Sequence, residues 1–276
     1  VKFAICNEIF QGWELEAAMA FARQAGYQAV EIAPFTLAPL ITDVNAAQRR
    51  EIRVAAERAG IEIAGLHWLL AKTQGMHLSD PDAEVRKRTG LYLSELVRCC
   101  AELGGRILVL GSPQQRNVLP GTSPEEAWKR AADTVSDAVR LAEQHRVTIC
   151  FEPLAPSETN FINTAAEAIR FASQFNSPGM KIILDVKAMS SEAQPIPDII
   201  RASWPHFGHF HANDKNLKGP GFGEVDFGPI AAALHGVGYS GYVSVEVFNF
   251  DEGAEVIATK SIEYLRRKFL SGGVVG

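Results

Sequence analysis

Short apolar runs alternate with amphipathic stretches along the whole chain, and eight such units can be counted. The runs cover residues 2–6, 28–32, 61–66, 106–110, 147–152, 180–185, 206–211 and 241–247. Runs this short and this apolar read as strands buried on both faces, and their alternation with helices makes the sheet parallel. Eight parallel strands close a ring, so the predicted fold is α/β, a (β/α)8 TIM barrel. An open doubly wound sheet is the alternative, because alternation alone does not prove closure. The 276 residues, 47% of them hydrophobic, suffice for one sizeable core. Barrels of roughly 250 residues are ordinary single domains, so residues 1–276 are expected to form one.

Local punctuation supports the division into units. Ser123 and Pro124 fit an N-cap and first helical position before EEAWKRAADTVSDAVRLAEQH, and Asn163 or Thr164 suits the cap of AAEAIRFASQF. Gly26, Gly60 and Gly104 stand where helices should close in left-handed geometry. The longer connections, 67–80, 111–123, 153–163, 186–195 and 212–227, follow strands. Long loops on that side of a barrel build the active site. The tail SGGVVG is expected to fray.

No apolar run approaches the roughly 20 residues that span a bilayer, and VKFAICNEIF lacks the pattern of a targeting segment. The expectation is a soluble, cytoplasmic protein. Cys6, Cys99, Cys100 and Cys150 show no CxxC spacing and lie mostly in apolar segments, as buried reduced thiols do. A net charge of −5 argues against a nucleic-acid partner.

Glu152, Asp185, His211 and Glu246 each stand at or beside the end of a predicted strand, in TICFE, KIILD, FGHFH and YVSVE. A parallel barrel delivers all its strand ends to one face, so groups remote in sequence can converge there. A carboxylate at the end of a buried apolar strand needs a proton, a cation or a metal to offset its desolvation. Three carboxylates and one imidazole suit a hard or borderline divalent ion, Mn²⁺ foremost, then Mg²⁺, with Co²⁺ or Zn²⁺ as substitutes.

The segments GLHWLL (65–70), FEPLAPSETNFINT (151–164), ILDVKAM (183–189), HFHANDKNLKGPGFGEVDF (209–227) and VSVEVF (243–248) resemble the xylose isomerase-like TIM barrels. Within them the chain is similar to the sugar phosphate isomerase/epimerase family, which includes D-tagatose and D-psicose 3-epimerases and hydroxypyruvate isomerase. The resemblance implies that Glu152, Asp185, His211 and Glu246 are the metal ligands, and that Glu152 and Glu246 also move the proton on opposite faces of a ketose. It implies a cation that chelates the carbonyl oxygen and a neighbouring hydroxyl, stabilising an enediolate. It further implies that Glu158 and His67 bind the substrate and that Phe248 packs beside it. Trp68, next to His67, suits a pocket wall, as do Trp13 and Phe35. Homodimers or tetramers are frequent among such barrels.

Two positions depart from the family pattern. The histidine usual three residues after the second ligand is Ala188, and the arginine usual six residues after the ligand histidine is Leu217. Lys187 and Lys218, adjacent to these, are the candidate replacements and substrate contacts, although Lys lacks the planar fork of Arg. His209 shares strand parity with His211 and suits a supporting or core role; Asp214 suits orienting His211 or capping a turn. Asn7, Glu8 and Glu31 are expected to be structural. The Gly-Pro-Gly-Phe-Gly run at 219–223 reads as loop geometry.

The leading expectation is therefore a metal-dependent isomerase or epimerase of a small carbohydrate. A lyase or dehydratase acting on a keto sugar is the alternative, since loss of a proton next to a carbonyl feeds either outcome. Further down stand an endonuclease IV-like phosphodiester hydrolase and a sugar-binding protein without turnover.

Overall fold

In the computed structural model, which describes residues 1–271, each apolar run becomes a strand whose residues alternate between the barrel interior and the surrounding helices. Residues 272–276, the bulk of SGGVVG and of the fraying expected there, lie outside the described residues. The strands are β1 Lys2–Cys6, β2 Ala29–Ile32, β3 Glu62–Leu66, β4 Ile107–Leu110, β5 Thr148–Phe151, β6 Met180–Asp185, β7 Phe207–Ala212 and β8 Tyr242–Val245. Each pairs in parallel with the next, and β8 pairs with β1 from Lys2–Tyr242 to Ile5–Val245. That last pairing closes the ring and removes the open-sheet alternative.

The helices are α1 Leu15–Ala25, α2 Ala46–Ala59, α3 Ala83–Glu102, α4 Pro124–His145, α5 Ala165–Ser173, the single turn α6 Val186–Met189, α7 Ile196–Ser203, α8 Phe227–Gly236 and α9 Ala254–Ser271. Their ends follow the punctuation. Ser123 accepts the N–H of Glu126, whose side chain returns to the Ser123 N–H. Thr164, not Asn163, caps α5 in the same way. Gly26 and Gly60 close α1 and α2 at φ +110° and +66°, while Gly104, at φ +87°, lies one residue beyond the cap of α3.

The main core lies between sheet and helices, with Leu66, Phe151, Phe171, Phe207 and Phe227 among its buried side chains. The barrel interior is filled in two separate clusters, the small Ala4, Ala29 and Ala64, and the largely β-branched Ile107, Val109, Cys150 and Ile183. β3 and β4 approach so closely that a Cβ on Gly65 would lie 1.8 Å from the Ile107 carbonyl oxygen, so only glycine fits. In β7 the register slips past Gly208, which sets His209 opposite Ile183 and His211 opposite Asp185. The four cysteines are free and buried, as expected. No helix among the described residues is long and apolar enough to cross a membrane.

Candidate metal centre

Asp185 is the last residue of β6, His211 the penultimate residue of β7, and Glu152 and Glu246 directly follow β5 and β8. Consecutive strands thus hang one donor each over the same end of the barrel. One donor atom from each of the four lies within 4.8 Å of the others, and all four residues are buried. No solvent shell offsets their charges.

Burial, with Glu246 and Asp185 alongside, pushes Glu152 up to about 8. Burial also raises Asp185. It would raise Glu246 too, but His211 at hydrogen-bond distance brings Glu246 down to about 2. Burial alone would lower His211, yet Glu246 and Glu31 hold it well above the usual imidazole range. Three carboxylates therefore compete for one imidazolium. The donor set, its charge and its spacing fit a divalent cation, which would relieve that repulsion.

Surrounding groups fix each donor. Asp185 Oδ1 caps α6 by accepting the Ala188 N–H at 2.7 Å, and Oδ2 accepts from the Asn213 amide. Asn213 Oδ1 in turn accepts the Lys187 N–H at 2.8 Å. His211 Nδ1 lies 3.0 Å from Glu246 Oε2, and Nε2 lies 3.2 Å from Glu31 Oε2. The other Glu31 oxygen lies 2.7 Å from His209 Nε2. Burial would raise Glu31, but the two histidines hold it well below the ordinary carboxylate range. Glu31 thus holds one ring nitrogen of His211 and leaves the other facing the centre.

Trp68 Nε1 donates to Glu246 Oε1 at 2.7 Å. Beside Glu152, a Cβ on Gly111 would come within 2.2 Å of Oε2, so the glycine leaves room for the carboxylate. The fully buried Arg116 donates to the Glu152 carbonyl at 2.6 Å and to the carbonyls of Phe161 and Ile162 at 2.9 and 3.0 Å, tying the loop after β5 to the strand end.

The substrate-binding candidates divide. Lys187 Nζ donates to Glu158 Oε1 at 2.6 Å and sits 4.0 Å from the centre of the Phe248 ring. Phe248 stacks on Trp68 with centroids 5.9 Å apart and planes 19° from parallel. Trp68 also holds Glu246, so these four lie in a row beside the centre. His67 Nε2 lies 2.6 Å from Glu8 Oε2, with its ring centre 6.3 Å from that of His211. Lys218 pairs with Glu252 and makes no hydrogen bond or ion pair with these four among the described residues. Leu217, at φ +71° and exposed, uses its carbonyl to hold the N–H groups of Phe248 and Asn249. Asp214 caps the following loop by accepting the Val225 N–H at 2.9 Å, the turn-capping role among its two expected ones.

Sequence reasoning missed Asn213 and Arg116 and left Glu31 without its role toward His211. Asn213 had a signal, two residues past His211 in the same inward parity. Arg116 had none, since its partners are backbone carbonyls up to 46 residues away.

Chemically, the centre offers carboxylates from three strands, the partly buried ammonium of Lys187 beside them and a donor set that fits a cation. That equipment suits proton transfer beside a carbonyl.

Comparison with known proteins agrees. The family model described as xylose isomerase-like TIM barrel matches residues 19–268. D-psicose 3-epimerase of Ruminiclostridium cellulolyticum is 29% identical over 242 residues, covering 86% of this chain and 80% of the relative. L-ribulose 3-epimerase of Mesorhizobium japonicum is 27% identical over 249 residues, covering 90% and 80%. A crystal structure of D-psicose 3-epimerase in the presence of D-fructose superposes with a TM-score of 0.85 at 21% identity, covering 98% of this chain and 99% of that one.

Proposed function

The chain belongs to the xylose isomerase-like TIM barrel family, and we propose that it is a divalent-metal-dependent epimerase or isomerase of ketoses. The observation that carries this reading is the meeting of Glu152, Asp185, His211 and Glu246 within 4.8 Å at the ends of four successive strands. Relatives named as D-psicose, L-ribulose and fructoselysine 3-epimerases support the substrate class. Mn²⁺ is the proposed cation, because three carboxylates and one imidazole form an oxygen-rich, borderline donor set.

Glu152, Asp185, His211 and Glu246 would hold the cation. When bound, it supplies the Lewis acidity that makes loss of a proton beside a carbonyl feasible. Glu152 and Glu246 enter from strands three places apart in the ring, so a ketose between them meets a carboxylate on each side. One removes the proton from the carbon next to the carbonyl, and the other returns one to the opposite face. His211 and Asn213 keep Glu246 and Asp185 in place.

Lys187 directly precedes Ala188, which stands at the position of a family histidine. Its charge, held by Glu158, is available to an oxygen beside the reacting carbon. Asp185 and Glu158 outweigh the effect of burial and keep this ammonium protonated. Phe248, Trp68 and His67 exclude water and orient the chain of the sugar. A cytoplasmic site of action belongs to the same reading, since four free buried thiols suit a reducing compartment.

The test is proton NMR in D₂O with Mn²⁺-loaded protein on a panel of ketoses and 3-keto sugars, beside a chelated control. The expected result is metal-dependent deuterium entry next to the carbonyl together with a new isomer. An unsaturated product in its place would make the protein a lyase. No exchange anywhere on the panel would sink the epimerase reading.

A further inference from the structure

Next to the metal centre, on the β1–β2 side of the barrel mouth, lies a cleft of about 890 Å³. Drug-sized ligands occupy pockets of about 300–1,000 Å³, so this cleft has room for far more than the tail of a free ketose. It adjoins the centre through two residues. Trp68 lines it while its Nε1 holds Glu246, and Glu8 lines it while its Oε2 holds His67. Glu8 Oε1 is buried and has no hydrogen-bond partner among the described residues, which leaves an acceptor at the inner wall.

The lining has a consistent chemistry. Trp13, Phe35 and Trp68 offer ring faces; Phe35 and Trp68 pack with centroids 5.8 Å apart, and Trp13 leans on Phe21 at 5.5 Å while remaining 37% exposed. Between and beyond them stand the polar groups of Gln48, Glu14 and Glu51. A pyranose ring presents C–H groups on its faces and hydroxyls around its rim, so aromatic faces edged by carboxylates and carboxamides are the complement it requires. The charge balance disfavours anions. Among the described residues the lining carries three carboxylates, Glu8, Glu14 and Glu51, against one ammonium, Lys72, which is engaged over the Phe35 ring at 4.0 Å.

We infer that this cleft takes an uncharged sugar unit joined to the far end of the ketose, so that the substrate is a glycosylated and not a phosphorylated keto-sugar. The inference rests on the ketose reading of the metal centre. The reacting carbons sit under Trp68 and Phe248, and the attached ring runs outward past Glu8 onto Phe35 and Trp13.

Three ketoses that share the reacting end and differ only at the last carbon provide the test: isomaltulose, which carries a glucosyl group there, D-fructose, and D-fructose 6-phosphate. With Mn²⁺-loaded protein, kcat/KM for proton exchange should be roughly tenfold or more higher for isomaltulose than for D-fructose. It should be lower for the phosphate than for D-fructose. Trp13→Ala should bring the ratio of isomaltulose to D-fructose towards one, and Glu51→Lys should raise the ratio of phosphate to D-fructose. Equal or inverted preference between isomaltulose and D-fructose, or a preference for the phosphate, overturns the inference. Calorimetric binding, which needs no turnover, separates its failure from failure of the chemistry. If none of the three exchanges protons, the proposed reaction fails for them; tighter binding of isomaltulose than of D-fructose then still upholds the cleft assignment, and equal or absent binding overturns it.

Discussion

Two sides of one barrel mouth meet at the centre in different ways. On the β5–β8 side, four strands each present a donor atom directly to a common point. On the β1–β3 side, Glu31 and Trp68 reach that point by gripping His211 and Glu246, while Glu8 grips His67. The first side carries charges that a cation would need, and the second holds those charges in place and lines most of the neighbouring cleft. Under the proposed function, reaction type would be set mainly by the β5–β8 side and ligand size mainly by the β1–β3 side, with Trp68 and Glu8 touching both.

The harshest way to break this comparison is Glu246→Gln. It removes a donor charge and a proton-transfer group from the β5–β8 side, so kcat/KM should fall by about 10³-fold, with Mn²⁺ content after dialysis reduced as well. Full metal content and full exchange would mean that the four donors are not the working set. A milder probe is Glu31→Gln, which touches no substrate. If the β2 carboxylate orients His211, Mn²⁺ affinity measured by titration should drop about 10–100-fold; unchanged affinity would reduce Glu31 to packing. The gentlest is Lys218→Ala. Its partner Glu252 is partly exposed, and such solvent-screened pairs contribute little. Exchange rates should stay within about twofold of the parent, and a large loss in kcat/KM would return Lys218 to the site.

Most of the fold was legible because its signals are local and repeated. Each strand is a compact apolar run, each helix carries caps, and the parallel topology then dictates which ends share a face. The placement of Glu152, Asp185, His211 and Glu246 was legible for the same reason, since standing at or beside a strand end is a property of one segment. What escaped depends on pairings across the ring. Glu31 gains its meaning only beside His209 and His211, 178 and 180 residues later. The partner of Lys218, Glu252, lies 34 residues on and was not legible locally either. Trp68, at φ +53°, adopts a backbone conformation that a bulky residue rarely takes. Its bond to Glu246 gives that turn a purpose no local pattern encodes.

The pairing of β8 with β1 also bears on how the centre comes into being. Glu246 hangs from the strand that closes the ring, while Glu152, Asp185 and His211 hang from the three strands before it. During synthesis those three emerge first, and the fourth donor takes its place only once β8 has found the opening strand. A divalent ion bound by all four would therefore favour the closed ring over every partly assembled one, and would link metal supply to completion of the fold.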